Sequence, residues 1–269
     1  MPSTTEIRSM AVFCDFENVA LGVRDARYDR FDIKRILERL LLKGPIVVKK
    51  AYCDWGRYSE FKASMHEAAF ELIDIPHVRQ SGKNSADIRM VVDALDLCYT
   101  KSHVTTFVLI TGDSDFSPLV SKLRENAKQA IGVGVKNSTS DLLIANCDEF
   151  IYYDDLVRDQ PQQKRATKRK RPAAVNAQGK SDEDKKQEAL DLVLETIEAL
   201  FAERGAEEKI WGSMVKQALK RQRPGFTESY YGFRSFSRLL DEAAARGLIE
   251  VEEDEKSGGV IIRSFKTDV

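Results

Sequence analysis

Three histidines and four cysteines among 269 residues leave little material for a zinc site. Cys14, Cys53, Cys98 and Cys147 are 39, 45 and 49 residues apart with no CxxC pair, which excludes zinc-finger spacing and fits free thiols in a reducing compartment. His66, His77 and His103 have no HExxH context and receive no role. No run approaches the ~20 apolar residues that span a bilayer, and residues 1–10 lack the basic start and apolar core of a secretory signal. The expectation is a cytoplasmic protein with no membrane partner. Neither GxxxxGK[ST] nor GxSxG occurs, and the glycines at 132 and 134 lack the third member of a dinucleotide fingerprint, so no nucleotide cofactor is indicated. With only 15 Gly and 7 Pro against 42% hydrophobic and 32% charged residues, collagen-like and wholly disordered classes are excluded. The length suits one large α/β domain or two ordinary ones.

The formal net charge of −1 averages over unlike segments. Residues 1–157 carry 20 basic against 23 acidic residues, residues 158–180 carry 8 against 1, and residues 181–269 carry 14 against 19. The middle segment is rich in Gln, Pro and Ala without apolar periodicity, which reads as a flexible linker. Six of its eight residues from 164 to 171 are basic, namely Lys164, Arg165, Lys168, Arg169, Lys170 and Arg171, enough to hold a polyanion by counterion release; a plain solvated tether is the alternative. The division expected is 1–157 for a first domain, 158–186 for the linker and 187–269 for a second domain.

In the first segment short apolar runs alternate with amphipathic ones. Strands are expected near residues 10–13, 46–53, 72–75, 105–111 and 130–135, and helices near 31–42, 59–71, 86–99 and 118–126. Five or six strands alternating with helices imply right-handed crossovers and a parallel sheet covered on both faces. The second segment predicts helices at 187–204, 212–221 and 236–246, then a two-stranded wing formed by residues 248–252 and 260–263 around a turn-rich DEKSGG.

In a parallel α/β sheet ligands collect beyond the carboxyl ends of the strands, where strand order reverses. Asp15 directly follows the apolar MAVFC run, with no helix start legible behind it, and Asp113 and Asp115 directly follow TTFVLIT. At about 100° per residue Asp87 shares a helix face with Val91, Ala94 and Leu95, a face that packs inward, whereas Asp93 and Asp96 read as the solvated side of the same helix. Asp15, Asp87, Asp113 and Asp115 would crowd four like charges that demand a cation. Oxygen ligands suit Mg²⁺ or Mn²⁺, and carboxylate-held ions of this kind serve phosphodiester hydrolysis. Each acid also has an ordinary structural alternative. Ser117 as N-cap before Pro118, with Asp115 beside it, is normal helix-start chemistry, and Ser85 as N-cap with Asp87 against the dipole is another. Asn18 either holds a metal-bound water or a nucleotide edge, or makes an Asx turn. The loop QSGKNS brings Lys83 and Asn84 to a helix N-terminus beside Asp87, where a phosphate can be received; a plain turn is the alternative. Ser114, between the paired aspartates, joins the candidate substrate contacts.

Three blocks, VFCDFENV at 12–19, NSADIRMVVDAL at 84–95 and VLITGDSDFSPLV at 108–120, resemble the NYN domain, a PIN-like ribonuclease family. The resemblance covers roughly residues 10–155. It implies a PIN-like three-layer α/β/α fold and a metal-dependent ribonuclease, with Asp15, Asp87, Asp113 and Asp115 as catalytic and metal-binding residues and Asn18 nearby. GSMVKQAL at 212–219, YGFRSFSRLL at 231–240 and RGLIE at 246–250 are similar to the LOTUS, or OST-HTH, domain. That likeness implies a small α+β winged-helix fold that binds RNA, with single-stranded, G-rich or structured RNA as candidate partner. Lys216, Lys220, Arg221, Arg223 and Arg234 interleave with Tyr230, Tyr231 and Phe233 as RNA-binding surfaces do, although Phe233 and Phe236 equally suit a core. Three functions are compatible with these residues: a two-domain ribonuclease, an RNA-binding regulator without catalysis, and a phosphatase or DNA nuclease using the same acids.

Overall fold

The computed structural model describes residues 9–28, 30–76, 84–158, 182–205, 208–254 and 258–266, which form two compact units divided near residue 160. In the first unit the elements run β1 (Ser9–Asp15), α1 (Phe16–Asp25), α2 (Ile33–Lys43), β2 (Ile46–Cys53), α3 (Ser59–Glu67), β3 (Glu71–Asp74), α4 (Ser85–Thr100), β4 (Val104–Ile110), α5 (Ser117–Glu125), β5 (Gln129–Gly134), α6 (Asp141–Asn146), β6 (Glu149–Tyr152) and α7 (Tyr153–Arg158). The six strands pair in parallel in the order β3-β2-β1-β4-β5-β6, and helices cover both faces. This is the α/β architecture expected for a PIN-like domain.

The sheet is buried on both sides because β1 is apolar at nearly every position. Met10, Val12 and Cys14 pack with Val19 and Val23 of α1 and Ile36 and Leu40 of α2. Ala11 and Phe13 point the other way, toward Met90 and Ala94 of α4 and Leu119 and Val120 of α5. The two-residue alternation of a strand sorts one continuous run into two cores. Strand order reverses between β1 and β4, so their carboxyl ends define the switch point of the sheet.

Four readings from sequence are corrected here. A helix does begin directly behind Asp15: α1 carries Gly22 and the stiff valines Val19 and Val23, which hide its propensity, and it forms because Phe16, Val19 and Val23 are buried. Asp93 is not solvated. Its side chain, 12% exposed, accepts hydrogen bonds from Lys50 Nζ at 3.1 Å, Tyr52 Oη at 2.9 Å and Arg89 Nε at 3.1 Å. Burial pushes this carboxyl up, but the hydrogen bonds from Tyr52 and Lys50 and the charges of Lys50 and Arg89 outweigh it and hold its pKa below the ordinary value. Neither Ser117 nor Ser85 is an N-cap, because each is the first residue of its helix, and Phe116 and Asn84 precede them without a side-chain cap. The fourth concerns residues 182–186, assigned above to the linker. They belong to α8 (Asp182–Arg204), whose first turn carries Asp182, Glu183 and Asp184 against the helix dipole. At the other end Arg158, also assigned to the linker, is the last residue of α7, and residues 159–181, with Lys164, Arg165, Lys168, Arg169, Lys170 and Arg171, lie outside the described residues.

After α8 the second unit continues with β7 (Ile210–Trp211), α9 (Gly212–Gln222), α10 (Phe236–Ala245), β8 (Ile249–Glu253) and β9 (Val260–Phe265). The wing has three strands rather than two, because Ile210–Trp211 adds antiparallel to β9 and gives the order β7-β9-β8. Leu190, Val193 and Ile197 of α8 pack with Val215 and Leu219 of α9 and Leu239 and Leu240 of α10. Phe233 and Phe236 belong to this core. Arg246 ties α10 to α8 through Glu183 at 2.8 Å. No helix among the described residues is long and apolar enough to cross a membrane.

Replacing Asp93 with Ala leaves the Tyr52 hydroxyl and Lys50 ammonium without their acceptor and is expected to cost about 2–4 kcal/mol. Because the folded pKa of Asp93 is depressed, its contribution is present above the ordinary carboxylate pKa and disappears as pH falls through the folded value. Thermal unfolding of wild type and Asp93→Asn should therefore differ at pH 7 and converge at the acidic end; a gap independent of pH would refute the ion-pair account.

Candidate active site

Asp15 ends β1 and at the same time caps α1, its Oδ1 accepting from the backbone N–H of Asn18 at 3.4 Å. Its second oxygen accepts from the hydroxyl of Thr111 at 3.1 Å, and Thr111 Oγ1 in turn accepts the backbone N–H of Asp113 at 3.2 Å. One fully buried hydroxyl thus links the carboxyl end of β1 to the loop that follows β4. A second link runs from the Gly112 N–H to Asn18 Oδ1 at 2.8 Å. Neither role expected for Asn18 accounts for this bond: its amide oxygen braces the two strand ends against each other.

Gly112 is confined for a different reason. A Cβ there would overlap the backbone carbonyl of Ser138, and Gly112 also accepts the N–H of Ser140 through its own carbonyl at 2.9 Å. The loop therefore leaves β4 held between the backbone of residues 138–140 and the side chain of Asn18. Asp113 caps a 3-10 turn, Ser114–Phe116, accepting the N–H of Asp115 at 2.9 Å, so Ser114 and Asp115 are presented at the mouth of the site. Asp113 and Ser114 are half-buried and Asp115 is exposed.

Asp87 reaches the same place from the first turn of α4. Burial raises its pKa, and the charges of Asp113, Asp115 and Glu17 raise it further. Asp15 is 7% exposed. Burial, then the charges of Asp87 and Asp113, push it up to about 7 against the hydrogen bonds from Asn18 and Thr111 that favour its ionised form. The four aspartates singled out from sequence thus share one electrostatic neighbourhood. Among the described residues, however, no three Asp, Glu, His or Cys side chains converge as they stand to hold a metal ion. As a donor set the acids fit a hard divalent cation: all are oxygen ligands, and a cation would offset the repulsion from Asp87 and Asp113 that adds to burial in raising Asp15.

Two contributors were not singled out from sequence. Thr111 carries no charge and reads as the last residue of a strand; only its place between the two acidic loops marks it. Glu17 lies within the VFCDFENV block, is bound to Arg57 at 3.0 Å, and adds its charge to the field at Asp87. Among the substrate candidates, Asn84 and Ser114 line a groove together with Asp87 and Asp115, whereas Lys83 lies outside the described residues. In the second unit Lys220, Arg223 and Arg234 are exposed. Lys216 is bound to Glu228 at 2.9 Å, Arg223 faces Glu195 at 3.6 Å, and Arg221 is partly buried with its pKa lowered by desolvation. These five cations do not form one uncompensated patch. Tyr230 is exposed, with the Lys185 ammonium 5.8 Å from its ring centre.

The fold and this acidic switch point define a PIN-like α/β protein. Residues 9–154 match the NYN domain, more than half of the chain, and the protein belongs to that family. It is similar to meiosis regulator and mRNA stability factor 1 of Xenopus tropicalis, 27% identical over 152 residues, which are 56% of this chain and 9% of that protein. The Bos taurus protein of the same name is 25% identical over 152 residues and matched over 8% of its length, so the chain spans under a tenth of either relative. An uncharacterized protein of Methanocaldococcus jannaschii is 27% identical over 112 residues, 42% of this chain and 43% of its own. The crystal structure of a Vibrio parahaemolyticus protein of unknown function superposes with a TM-score of 0.51 and 26% identity, covering 57% of this chain and 97% of that one.

Because folding raises the pKa of Asp15, the native state loses stability as pH climbs from the unfolded value near 4 to the folded value of about 7. In EDTA, Asp15→Asn is therefore expected to unfold later than wild type by on the order of 2–4 kcal/mol at pH 8, with the difference vanishing near pH 4. Equal melting curves at pH 8 would show that the carboxylate is not strained. Gly112→Ala should unfold earlier, by about 1–3 kcal/mol, because the added methyl meets backbone that cannot rotate away.

Proposed function

We propose that this protein is a Mg²⁺- or Mn²⁺-dependent ribonuclease, an endonuclease, that hydrolyses RNA phosphodiester bonds at Asp15, Asp87, Asp113 and Asp115. The observation that carries the reading is the gathering of four aspartates at the switch point of a parallel sheet, where burial and then the charges of Asp87 and Asp113 drive Asp15 up to about 7, a repulsion that a cation would relieve. Membership of the NYN family supports it, as does the likeness to a protein named for mRNA stability. Held by those acids, a divalent ion would supply an activated water and neutralise charge on the phosphate. The chain's own residues do the positioning. Thr111 fixes the orientation of Asp15 and of the Asp113 backbone at once, Asn18 holds the two strand ends in register, and Ser114 and Asn84 face the substrate side with a hydroxyl and an amide.

The second unit, in this reading, is a LOTUS-like winged helix that captures single-stranded, G-rich or structured RNA. The helices and three-stranded wing are compatible with it, and Lys220, Arg223, Arg234 and exposed Tyr230 are its candidate contacts. The linker cations from Lys164 to Arg171 would add sequence-independent attraction, and the site of action would be the cytoplasm. A regulator that binds RNA without cutting it is the second reading, favoured by one observation: the acids have not converged to ligand distance.

The decisive experiment incubates wild type and Asp113→Asn with labelled single-stranded and G-rich RNA, and with DNA of the same sequence, in Mg²⁺, Mn²⁺ or EDTA. Metal-dependent cleavage of RNA by wild type, reduced on the order of 10²-fold or more in a variant with unchanged circular dichroism, is expected. Undiminished cleavage by the folded variant would overturn the site, and binding without cleavage by wild type would favour the regulator. Neutralising the six basic residues between 164 and 171 should flatten the log–log salt dependence of RNA binding by several units of slope; an unchanged slope would return the segment to a tether.

A further inference from the structure

The groove that Asp87 and Asp115 share continues away from the acids between α4, α5 and α6, with a volume of about 720 Å³. Its apolar surface comes from Ile88, Val91 and Val92 on one helix, Pro118 on the next and Leu142 on the third. Ile88, Val92 and Leu142 are 63%, 56% and 57% exposed, so three of the most exposed large apolar side chains of this unit gather in one place. The polar groups of the wall are all neutral hydroxyls and amides apart from the two shared acids: Asn84, Ser114, Ser117, Ser121 and Asn146. Ser117 is nine-tenths buried, its hydroxyl enclosed beneath that wall and closed to the groove.

A groove of this make-up selects against phosphate, since no Lys or Arg lines it and two carboxylates stand at one end. Apolar faces with neutral donors and acceptors match a nucleobase, whose flat face is apolar and whose edge presents both kinds of group. Continuity with the acids supplies the rest. A strand whose phosphate lies at Asp15, Asp87 and Asp113 has its next residues beside Asp87 and Asp115, where the groove opens. We propose that this groove receives unpaired bases of the RNA strand adjoining the cleaved phosphodiester, with Ile88, Val92 and Leu142 against base faces and Asn84 and Asn146 toward base edges. The inference rests on the ribonuclease reading for its substrate. It adds the surface that the bases contact, which bases stacked and paired in a duplex cannot enter.

The test uses the full chain with isotope-labelled Ile, Leu and Val methyl groups in EDTA, titrated with a single-stranded RNA hexamer, the same sequence as a duplex, and an abasic hexamer of ribose phosphates. The methyl signals of Ile88, Val91, Val92 and Leu142 should shift with the single strand and not with the duplex or the abasic chain. Affinity measured by fluorescence anisotropy should fall at least fivefold in Val92→Asn and Leu142→Asn, and stay at the wild-type value in Val47→Asn, a control at an exposed valine outside the groove. Equal shifts with the abasic hexamer, or wild-type affinity in both groove variants, would overturn the proposal. So would concentration-dependent shifts of the same methyls without RNA that vanish in Val92→Asn, because the surface would then serve a second copy of the chain. Groove shifts without metal-dependent cleavage would leave the groove standing and remove the ribonuclease reading; cleavage with silent groove methyls would do the reverse.

Discussion

Asp15 and Asp113 leave neighbouring strands in the same direction, and the hydroxyl of Thr111 stands between them, donating to one and accepting from the other's backbone. Everything else at the acidic end of the sheet is arranged around that contact. A carboxylate buried beside other carboxylates tends to rotate away or to take up a proton; here the Thr111 hydrogen bond and the α1 N-terminus keep it aimed. The Asn18 to Gly112 bond closes the same gap on the other side, so the two strand ends cannot separate without exposing two buried polar groups. Strain at the site is thus borne by the two-faced core of β1, whose apolar residues hold the strand in place whatever its terminal charge prefers.

Much of this was legible in the chain itself. Apolar runs of four to eight residues separated by amphipathic stretches give a parallel sheet, and acids directly behind two such runs mark carboxylates that gather at one end of it. Asp87 was readable from helical spacing alone. What escaped had a physical reason in each case. The helix after Asp15 was hidden because glycine and β-branched residues lower its intrinsic propensity and only packing compensates. Asp93 looked solvated because spacing along α4 says nothing about Lys50 and Tyr52 arriving from β2. Thr111 escaped because a hydroxyl carries no charge pattern, although its bond spans 96 residues. In the second unit the aromatic residues were undecided between core and surface, and burial divides them: Phe233 and Phe236 inside, Tyr230 outside.

The two units treat charge differently. At the switch point the first unit concentrates acids, and Arg57 is bound to Glu17, whose charge adds to theirs at Asp87. The second distributes its cations so that several already have acidic partners, as with Lys216 and Glu228 or Arg246 and Glu183. A chain whose formal charge is −1 therefore contains one region where acids gather and others that are internally balanced, and the average conceals both.

The pairing of β1 with β4 at the centre of the sheet joins residues of high sequence separation, Ser9 with Val104 and Cys14 with Ile110. Contacts of that kind are made only after a long stretch of chain has been confined, at an entropic cost that local pairings do not carry. While the chain is being synthesised, β1 and β2 can meet early, but the second wall of the acidic site does not exist until β4 has emerged and docked. The charge of Asp113 and the hydroxyl of Thr111 therefore reach Asp15 only once β4 has docked, whereas Asp87, the aspartate that raises it most, lies on α4 and precedes β4 in the chain.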